Sequence, residues 1–123
     1  MYADFIDRYI SPFENLSWVY DEDMGFIVWR MGTGNNTELL HIKTFEKRQG
    51  NGKKLFIKML AKLTDSPPYY SIFGFTRSNN IEAHNFYKAL GFNINKVDGL
   101  YSDGECRIFW AEFNKLTYKH LKE

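Results

Sequence analysis

Hydrophobic and polar residues alternate through the early part of this chain, and they later change to the spacing of an amphipathic helix. Alternating β-branched and aromatic runs are typical of strands, whereas apolar residues at i, i+4 and i+8 mark one helix face. Leu55, Met59 and Leu63 have that helical spacing, and lysines occupy the opposite face. Apolar residues within 83–90 have a similar helical spacing, and Gly91 directly after them predicts the C-cap of that helix. The predicted elements, in chain order, are a helix over 2–10, strands over 16–21, 24–31 and 37–44, a helix up to residue 63, a strand over 69–76, a helix up to residue 90, and strands over 92–97 and 105–113.

This order predicts an α+β (α/β-sandwich) fold, in which a mixed sheet carries packed helices. Residues 69–76 are apolar and too few for a buried helix, so we expect a strand covered on both faces. The length of 123 residues fits one domain. No repeat or linker divides the sequence, and the predicted domain therefore spans residues 1–123.

Composition narrows the function classes. Sixteen basic and fifteen acidic residues give a net charge of +1, which argues against a general nucleic-acid binder. Cys106 is the only cysteine, so no internal disulfide forms and a reducing compartment suits the chain. No apolar stretch approaches the ~20 residues of a membrane span. Acidic residues also stand where a signal peptide needs basic ones. We therefore expect a cytoplasmic protein that binds neither nucleic acid nor a membrane.

Positive charge and glycine concentrate in the loop before the second long helix. Residues 43–62 carry seven Lys/Arg and one Glu, a sum of +6. Gly50 and Gly52 would let backbone N–H groups approach an anion at a helix N-terminus, which favours phosphate. The alternative is a helix start with a solvated lysine face. Lys47 stands where a P-loop needs Gly, and Leu55 stands where a dinucleotide fingerprint needs Gly, so neither of those motifs fits.

Two motifs resemble those of the GCN5-related N-acetyltransferase (GNAT) family. The family's pyrophosphate loop, (Arg/Gln)-x-x-Gly-x-Gly/Ala, reads Lys47-Arg48-Gln49-Gly50-Asn51-Gly52 here, with Lys47 a departure at the first position. A second match follows the next strand and reads Asn80-x-x-Ala83-x-x-x-Tyr87-x-x-x-Gly91-Phe92. The two motifs in this order, with a strand between them, are more specific than either alone. The resemblance covers about residues 24–113.

The resemblance implies a mostly antiparallel sheet that separates at its middle, with helices on both faces. Acetyl-CoA would insert between the strands over 38–44 and 69–76, and no metal would take part. The backbone of Ile42 and Thr44 would pair with the pantetheine arm, and the Ile42 N–H would polarise the thioester carbonyl. The residues expected around the pyrophosphate are Lys47, Arg48, Gln49, Gly50, Asn51, Gly52 and Lys53. The implied reaction is direct transfer of the acetyl group to a primary amine of a small molecule or peptide.

Two residues of the second motif, Tyr87 and Asn80, match functional positions of the family, and each also has a purely structural interpretation. Tyr87 matches the tyrosine that commonly protonates the departing CoA thiolate, but it also lies on the apolar stripe of its helix and suits a core position. Asn80 matches a position that hydrogen-bonds the pantetheine region. The alternative for Asn80 is the N-cap of the same helix.

An amine nucleophile must lose a proton, so the reaction needs a base. Glu38 is the candidate, because it lies four residues before Ile42 and shares its sheet face if no bulge intervenes. A bulge would reverse that parity and make His41 the alternative. An exposed strand-end carboxylate without a catalytic role is the other interpretation of Glu38. We expect His84 at the surface, and no His/Cys/Asp spacing suggests a metal site.

The N-terminal region is shorter than the resemblance leads us to expect. Relatives usually carry a strand and two helices before the first hairpin, and these shape the acceptor pocket, whereas about 23 residues precede Met24 here. Either the acceptor site is open or a second subunit completes it, and we predict a homodimer. Residues 1–25 hold six acids and one Arg, a sum of −5, which favours a cationic acceptor or is a solvated acidic face. A catalytically inactive CoA-binding module and a small RNA binder are the competing functions.

Overall fold

Six strands hydrogen-bond into one mixed sheet in the order β1-β2-β3-β4-β6-β5. The computed structural model describes residues 2–31, 36–45, 50–63, 69–77, 79–98 and 105–114. Its elements are α1 (Tyr2–Phe5, continued by a π-helical turn, Ile6–Ile10), β1 (Leu16–Asp21), β2 (Gly25–Met31), β3 (Asn36–Thr44), α2 (Asn51–Leu63), β4 (Tyr69–Arg77), α3 (Ile81–Ala89), β5 (Asn93–Asp98) and β6 (Glu105–Asn114). The predicted order of elements and the α+β fold are confirmed.

The sheet separates in its middle. All neighbouring strands are antiparallel except β3 and β4, which are parallel. These two strands have nine residues each, but they pair only from Asn36–Ser71 to Glu38–Phe73. Beyond that point their facing edges have no strand partner among the described residues. The predicted separation is therefore confirmed.

A β-bulge lies in β3 next to this separation. Val28 of β2 pairs with His41, whereas the next residue, Trp29, pairs with Leu39, so Leu40 is the extra residue. A bulge of this kind reverses the alternation of side chains. Ile42 packs against the core on the α2 side, while Glu38 pairs with Arg30 on the opposite face. The condition for Glu38 and Ile42 to share a face is therefore not met.

Helices cover both faces of the sheet, as predicted. On one face, α2 and α3 enclose the larger core, in which Leu55, Phe56, Met59 and Leu60 of α2 are fully buried. The same core includes Trp29, Leu39, Ile72 and Phe109 from four strands on both sides of the separation. On the other face, Phe5 of α1 packs with Phe26 and Val28. None of the described helices has the length and apolar character needed to span a membrane.

The prediction that β4 is covered on both faces is wrong. Ile72, Gly74 and Thr76 are buried, but Phe73 and Phe75 on the opposite face are only half-buried. Trp110, which pairs with Phe73 from β6, is 44% exposed. The described residues packed with α1 come from β1, β2 and β3, and α1 therefore leaves this side of β4 and β6 uncovered.

Gly74 stands where β3 and β4 separate, and we predict that Gly74→Ala destabilises the fold. An added Cβ would lie 2.7 Å from the Leu39 carbonyl oxygen and would also meet the Phe109 ring. Overpacking of this kind costs about 1–3 kcal/mol. Urea unfolding should show the loss, and Ser71→Ala, on the other face of the same strand, should stay within about 0.5 kcal/mol of the wild type. Equal unfolding midpoints for Gly74→Ala and the wild type would contradict the prediction.

Candidate functional site

The separation between β3 and β4 opens into a cleft of about 720 Å³. The end of β3, the start of α2, the end of β4 and the first turns of α3 form most of its wall. The structure places most of the described candidate residues around it. Those that line the cleft are His41, Ile42, Thr44, Gly50, Asn51, Gly52, Lys53, Asn80 and Tyr87.

The N-terminus of α2 forms one end of the cleft. Gly50 has a φ of +66°, in the left-handed region that favours glycine. Its carbonyl accepts a hydrogen bond from the Lys54 N–H (3.1 Å). At Gly52 a Cβ would lie 2.7 Å from the Phe86 ring of α3, so a small residue permits this close helix contact. The first N–H groups of a helix have no partner within it and attract anions. The remaining predicted loop residues, Lys47, Arg48 and Gln49, lie outside the described residues.

Tyr87 lies both in the core and at the cleft, the positions expected for its two interpretations as a core residue and as a general acid. It is 7% exposed and belongs to the larger core, where its ring stacks on Phe109 with centroids 3.7 Å apart. It also lines the cleft. Burial raises the pKa of the Tyr87 phenol well above its ordinary range, so the hydroxyl stays protonated at neutral pH.

Asn80 is the N-cap of α3. Its side-chain oxygen accepts a hydrogen bond from the Ala83 N–H at 3.1 Å. The N-cap interpretation is therefore confirmed. Asn80 also lines the cleft, and its amide Nδ2 takes no part in the cap. Its contact with a pantetheine arm stays a prediction.

The expectation that His84 lies at the surface is wrong. His84 is 5% exposed, and its Nε2 lies 3.0 Å from the carbonyl oxygen of Arg77, the last residue of β4. An Nε2–H tautomer donates a hydrogen bond to that carbonyl. His84 therefore ties the end of β4 to α3, two elements that line the cleft. The spacing did carry a signal, since His84 precedes the inward-facing Tyr87 by three residues and shares its helix face.

The two candidate bases have different surroundings. Glu38 does not line the cleft, and its carboxylate forms an ion pair with Arg30 at 2.6 Å, with 21% of the side chain exposed. His41 lines the cleft beside the bulge. Its ring meets the edge of Tyr9 at a centroid distance of 5.2 Å. Partial burial lowers the pKa of His41, so the imidazole is neutral at pH 7 and is able to accept a proton.

Sequence reasoning missed several aromatic residues in the cleft wall. Tyr9 and Phe26 line it on the α1 face, and Phe75 and Phe86 line it from β4 and α3. Each lies in a predicted element, but strand and helix periods do not indicate which apolar residues border a gap. Within the described part of the chain, no group of three or more His, Cys, Asp or Glu residues is arranged to hold a metal ion.

Solved structures with the same arrangement are acetyltransferases and related proteins. No family model matches the sequence, and no curated protein is similar enough to count as a relative. Ard1 from Thermoplasma volcanium has a TM-score of 0.69 and 24% identity, covering 93% of this chain and 78% of its own. Arabidopsis thaliana Naa50, in complex with the bisubstrate analogue CoA-Ac-MVNAL, has a TM-score of 0.65 and 20% identity, with 89% and 80% covered.

A GNAT-family acetyltransferase from Bacillus cereus has a TM-score of 0.61 and 23% identity to this chain. The match covers 88% of this chain and 76% of the Bacillus cereus chain. The α+β architecture and the mostly antiparallel, separated sheet are thus shared with this family. The chain has the fold of the GNAT acetyltransferases.

Proposed function

We propose that this chain is an N-acetyltransferase that moves the acetyl group of acetyl-CoA to a primary amine by direct attack. The observation that carries the proposal is the loss of β3–β4 pairing where the cleft begins. Backbone groups along a strand edge need partners, and an extended ligand arm supplies them in the manner of an added strand. Similarity to a structure that holds a CoA bisubstrate analogue supports the same kind of ligand here.

The cofactor would lie along the cleft from β3 to α2. The pantetheine arm pairs with the backbone of Ile42 and Thr44, and the Ile42 N–H polarises the thioester carbonyl. The pyrophosphate lies at the N-terminus of α2, where Gly50, Asn51, Gly52 and Lys53 line the cleft. Lys47, Arg48 and Gln49 are proposed to complete this site. The positive end of the α2 dipole faces the cleft and would stabilise the negative charge of the phosphates.

Tyr87 is the proposed general acid. The amine nitrogen attacks the thioester carbonyl carbon, the C–N bond forms, and the C–S bond then breaks. The Tyr87 hydroxyl gives its proton to the departing thiolate. Burial raises the pKa of the phenol and makes it a weaker acid, whereas an apolar cleft makes a bare thiolate costly and so favours its protonation. The stack on Phe109 holds the ring in one orientation.

His41 is the proposed base that takes the proton from the amine. It lines the cleft, and its lowered pKa leaves the imidazole neutral. Glu38, the first candidate, stays a prediction, because its carboxylate is held by Arg30 and does not line the cleft. Position along β3 distinguishes the two residues, because the cleft is lined by the end of the strand, which includes His41 and not Glu38.

The acceptor is proposed to be a primary amine of a small molecule or peptide. A second cavity of about 500 Å³ shares Tyr9, Phe26 and Lys43 with the cleft. Asp4 and Asp7 line this cavity and would attract an ammonium group, but Arg8 and Lys43 also line it. The four charges cancel, so the local charge does not favour a cationic acceptor over a neutral one.

Other expectations stay predictions. The competing proposal is a catalytically inactive CoA-binding module, which would share the cleft and lack turnover. A homodimer and a cytoplasmic location also stay predictions. The face of β4 and β6 that α1 leaves uncovered is where a second subunit would find exposed apolar surface.

Binding of CoA tests whether the cleft is the cofactor site. We expect desulfo-CoA to stabilise the protein by about 2.7 kcal/mol at one hundred times its Kd in a thermal-shift titration, and a short RNA to give no shift.

Asn80→Asp keeps the cap but removes the Nδ2 donor and adds negative charge, so it should weaken CoA binding several-fold at unchanged stability. Asn80→Ala should also lose about 1 kcal/mol of stability. Wild-type CoA affinity in Asn80→Asp would assign Asn80 to the cap alone.

Measured turnover would distinguish an enzyme from an inactive CoA-binding module. The Tyr87→Phe variant then tests whether Tyr87 is the general acid. A panel of peptides, diamines and amino acids should yield acetylated product by mass spectrometry, with equal release of free thiol. Tyr87→Phe keeps the stacked ring, and we expect kcat to fall about 100-fold or more at unchanged stability. Tyr2→Phe, on an exposed ring outside the cleft, is the matched control. An unchanged kcat in Tyr87→Phe would exclude it as the general acid.

The pH profile identifies the base. The imidazole is active when neutral, so kcat/KM should fall as the pH drops through the pKa of His41, which lies below its ordinary value of about 6.5. His41→Gln should remove this limb and lower kcat/KM about 100-fold or more. Glu38→Gln should keep the limb. All variants are assayed with the same acceptor, so the ionisation of the acceptor affects every pH profile equally. If Glu38→Gln alone removes the limb, Glu38 is the base.

A further inference from the structure

Tyr9 is the residue of the N-terminal helical segment that lines the cleft, among residues 2–10. It lies in the π-helical turn that continues α1 and closes with a hydrogen bond from the Ser11 N–H to the Ile6 carbonyl at 2.8 Å. Such turns often occur at functional sites. Neither the predicted elements nor the family motifs assign Tyr9 a role.

Aromatic contacts hold the Tyr9 ring in place. It lies against Phe26 with centroids 4.7 Å apart, and it stacks on Phe5 at 5.9 Å. Phe5 is itself buried and packs on Phe26 at 4.7 Å. The ring therefore belongs to the core under α1, while its other side borders the cleft.

The same ring contacts His41, an exposed residue that borders the cleft. The two rings meet edge to face, with centroids 5.2 Å apart and planes at 67°. Across β2 the partner of His41 is the buried, apolar Val28. The imidazole therefore has apolar groups from two elements beside it and the cleft in front. The titratable groups on these elements and on β3 itself are Tyr2, Asp4, Asp7, Arg8 and Tyr9 on the N-terminal segment, Arg30 on β2, and Glu38 and Lys43 on β3.

We propose that Tyr9 is a positioning residue for His41, which it orients toward the cleft and shields from water. The N-terminal helical segment would thereby supply one wall of the reaction site. This inference rests on the proposed function, in which His41 takes the proton of the amine. Removal of the ring would admit water to the imidazole and free it to rotate. Desolvation is the cause of the lowered pKa of His41, so exposure should raise that pKa.

An NMR titration of the His41 imidazole tests the contact without any substrate. His41→Gln assigns the signal among the three histidines of the chain. We expect Tyr9→Ala to raise the pKa of His41 toward its ordinary value of about 6.5. Tyr9→Phe should leave it unchanged, because the ring remains. Tyr2→Ala removes another ring from the same helix, outside the cleft, and should also leave it unchanged.

Two results of the titration would overturn the inference. One is a pKa in Tyr9→Ala equal to that of the wild type. The other is a fall in that pKa, which would mean that the Tyr9 ring stabilises the imidazolium by a cation–π interaction. If Tyr9→Ala does not fold by circular dichroism, Tyr9→Leu keeps apolar packing for α1 while removing the ring, and the same criteria apply.

The pH dependence of kcat/KM distinguishes the positioning role of Tyr9 from a loss of structure in Tyr9→Ala. In Tyr9→Ala the acidic limb of kcat/KM should move to higher pH together with the pKa of His41, so kcat/KM should fall at pH values below the limb. The KM for acetyl-CoA should not change, because the expected CoA contacts lie on β3 and α2. A limb that stays in place would overturn the inference. Absence of turnover in the wild type would overturn the proposed function, while the titration would still decide the role of Tyr9.

Discussion

The missing hydrogen bonds between β3 and β4 are the constraint on which the site depends. The strands pair over three residues and then diverge, although each continues for several more. Unpaired backbone groups in a sheet interior are costly unless water or a ligand satisfies them. An extended ligand that presents amide groups is the natural partner for such an edge. The proposed use of acetyl-CoA follows from this constraint more directly than from any single side chain.

The rest of the fold keeps the separation from closing. β3 is fixed to β2 by seven pairs, and β4 is fixed to β6 by nine. On one face, the core under α2 and α3 joins both halves through Leu39, Ile72 and Phe109. Gly74 lets the Phe109 ring lie across the point where the strands part. Closing the gap would require one of these packed contacts to yield, and cores with native packing density resist such changes.

The sequence predicted the elements well because their periods are strong, but features set by tertiary packing escaped it. The helix stripe from Leu55 to Leu63 is buried as its spacing indicates. Nothing in Leu39-Leu40-His41 marks a bulge, since all three residues suit a regular strand. The apolar run of β4 suggested burial on both faces, yet coverage depends on how far α1 extends. The first half of the motif that resembles the family's loop, Lys47, Arg48 and Gln49, lies outside the described residues.

His41 lies next to the bulge in β3 and also contacts the N-terminal helical segment. The extra residue lies at the start of the part of β3 that lines the cleft, which includes His41 and Ile42. The N-terminal segment, although it leaves β4 and β6 uncovered, still reaches His41 through Tyr9. Contact with the Tyr9 ring removes water from one side of the imidazole, and desolvation is the cause of the lowered pKa of His41. If His41 is the base, as proposed, the segment that precedes the sheet influences the proton transfer through this contact.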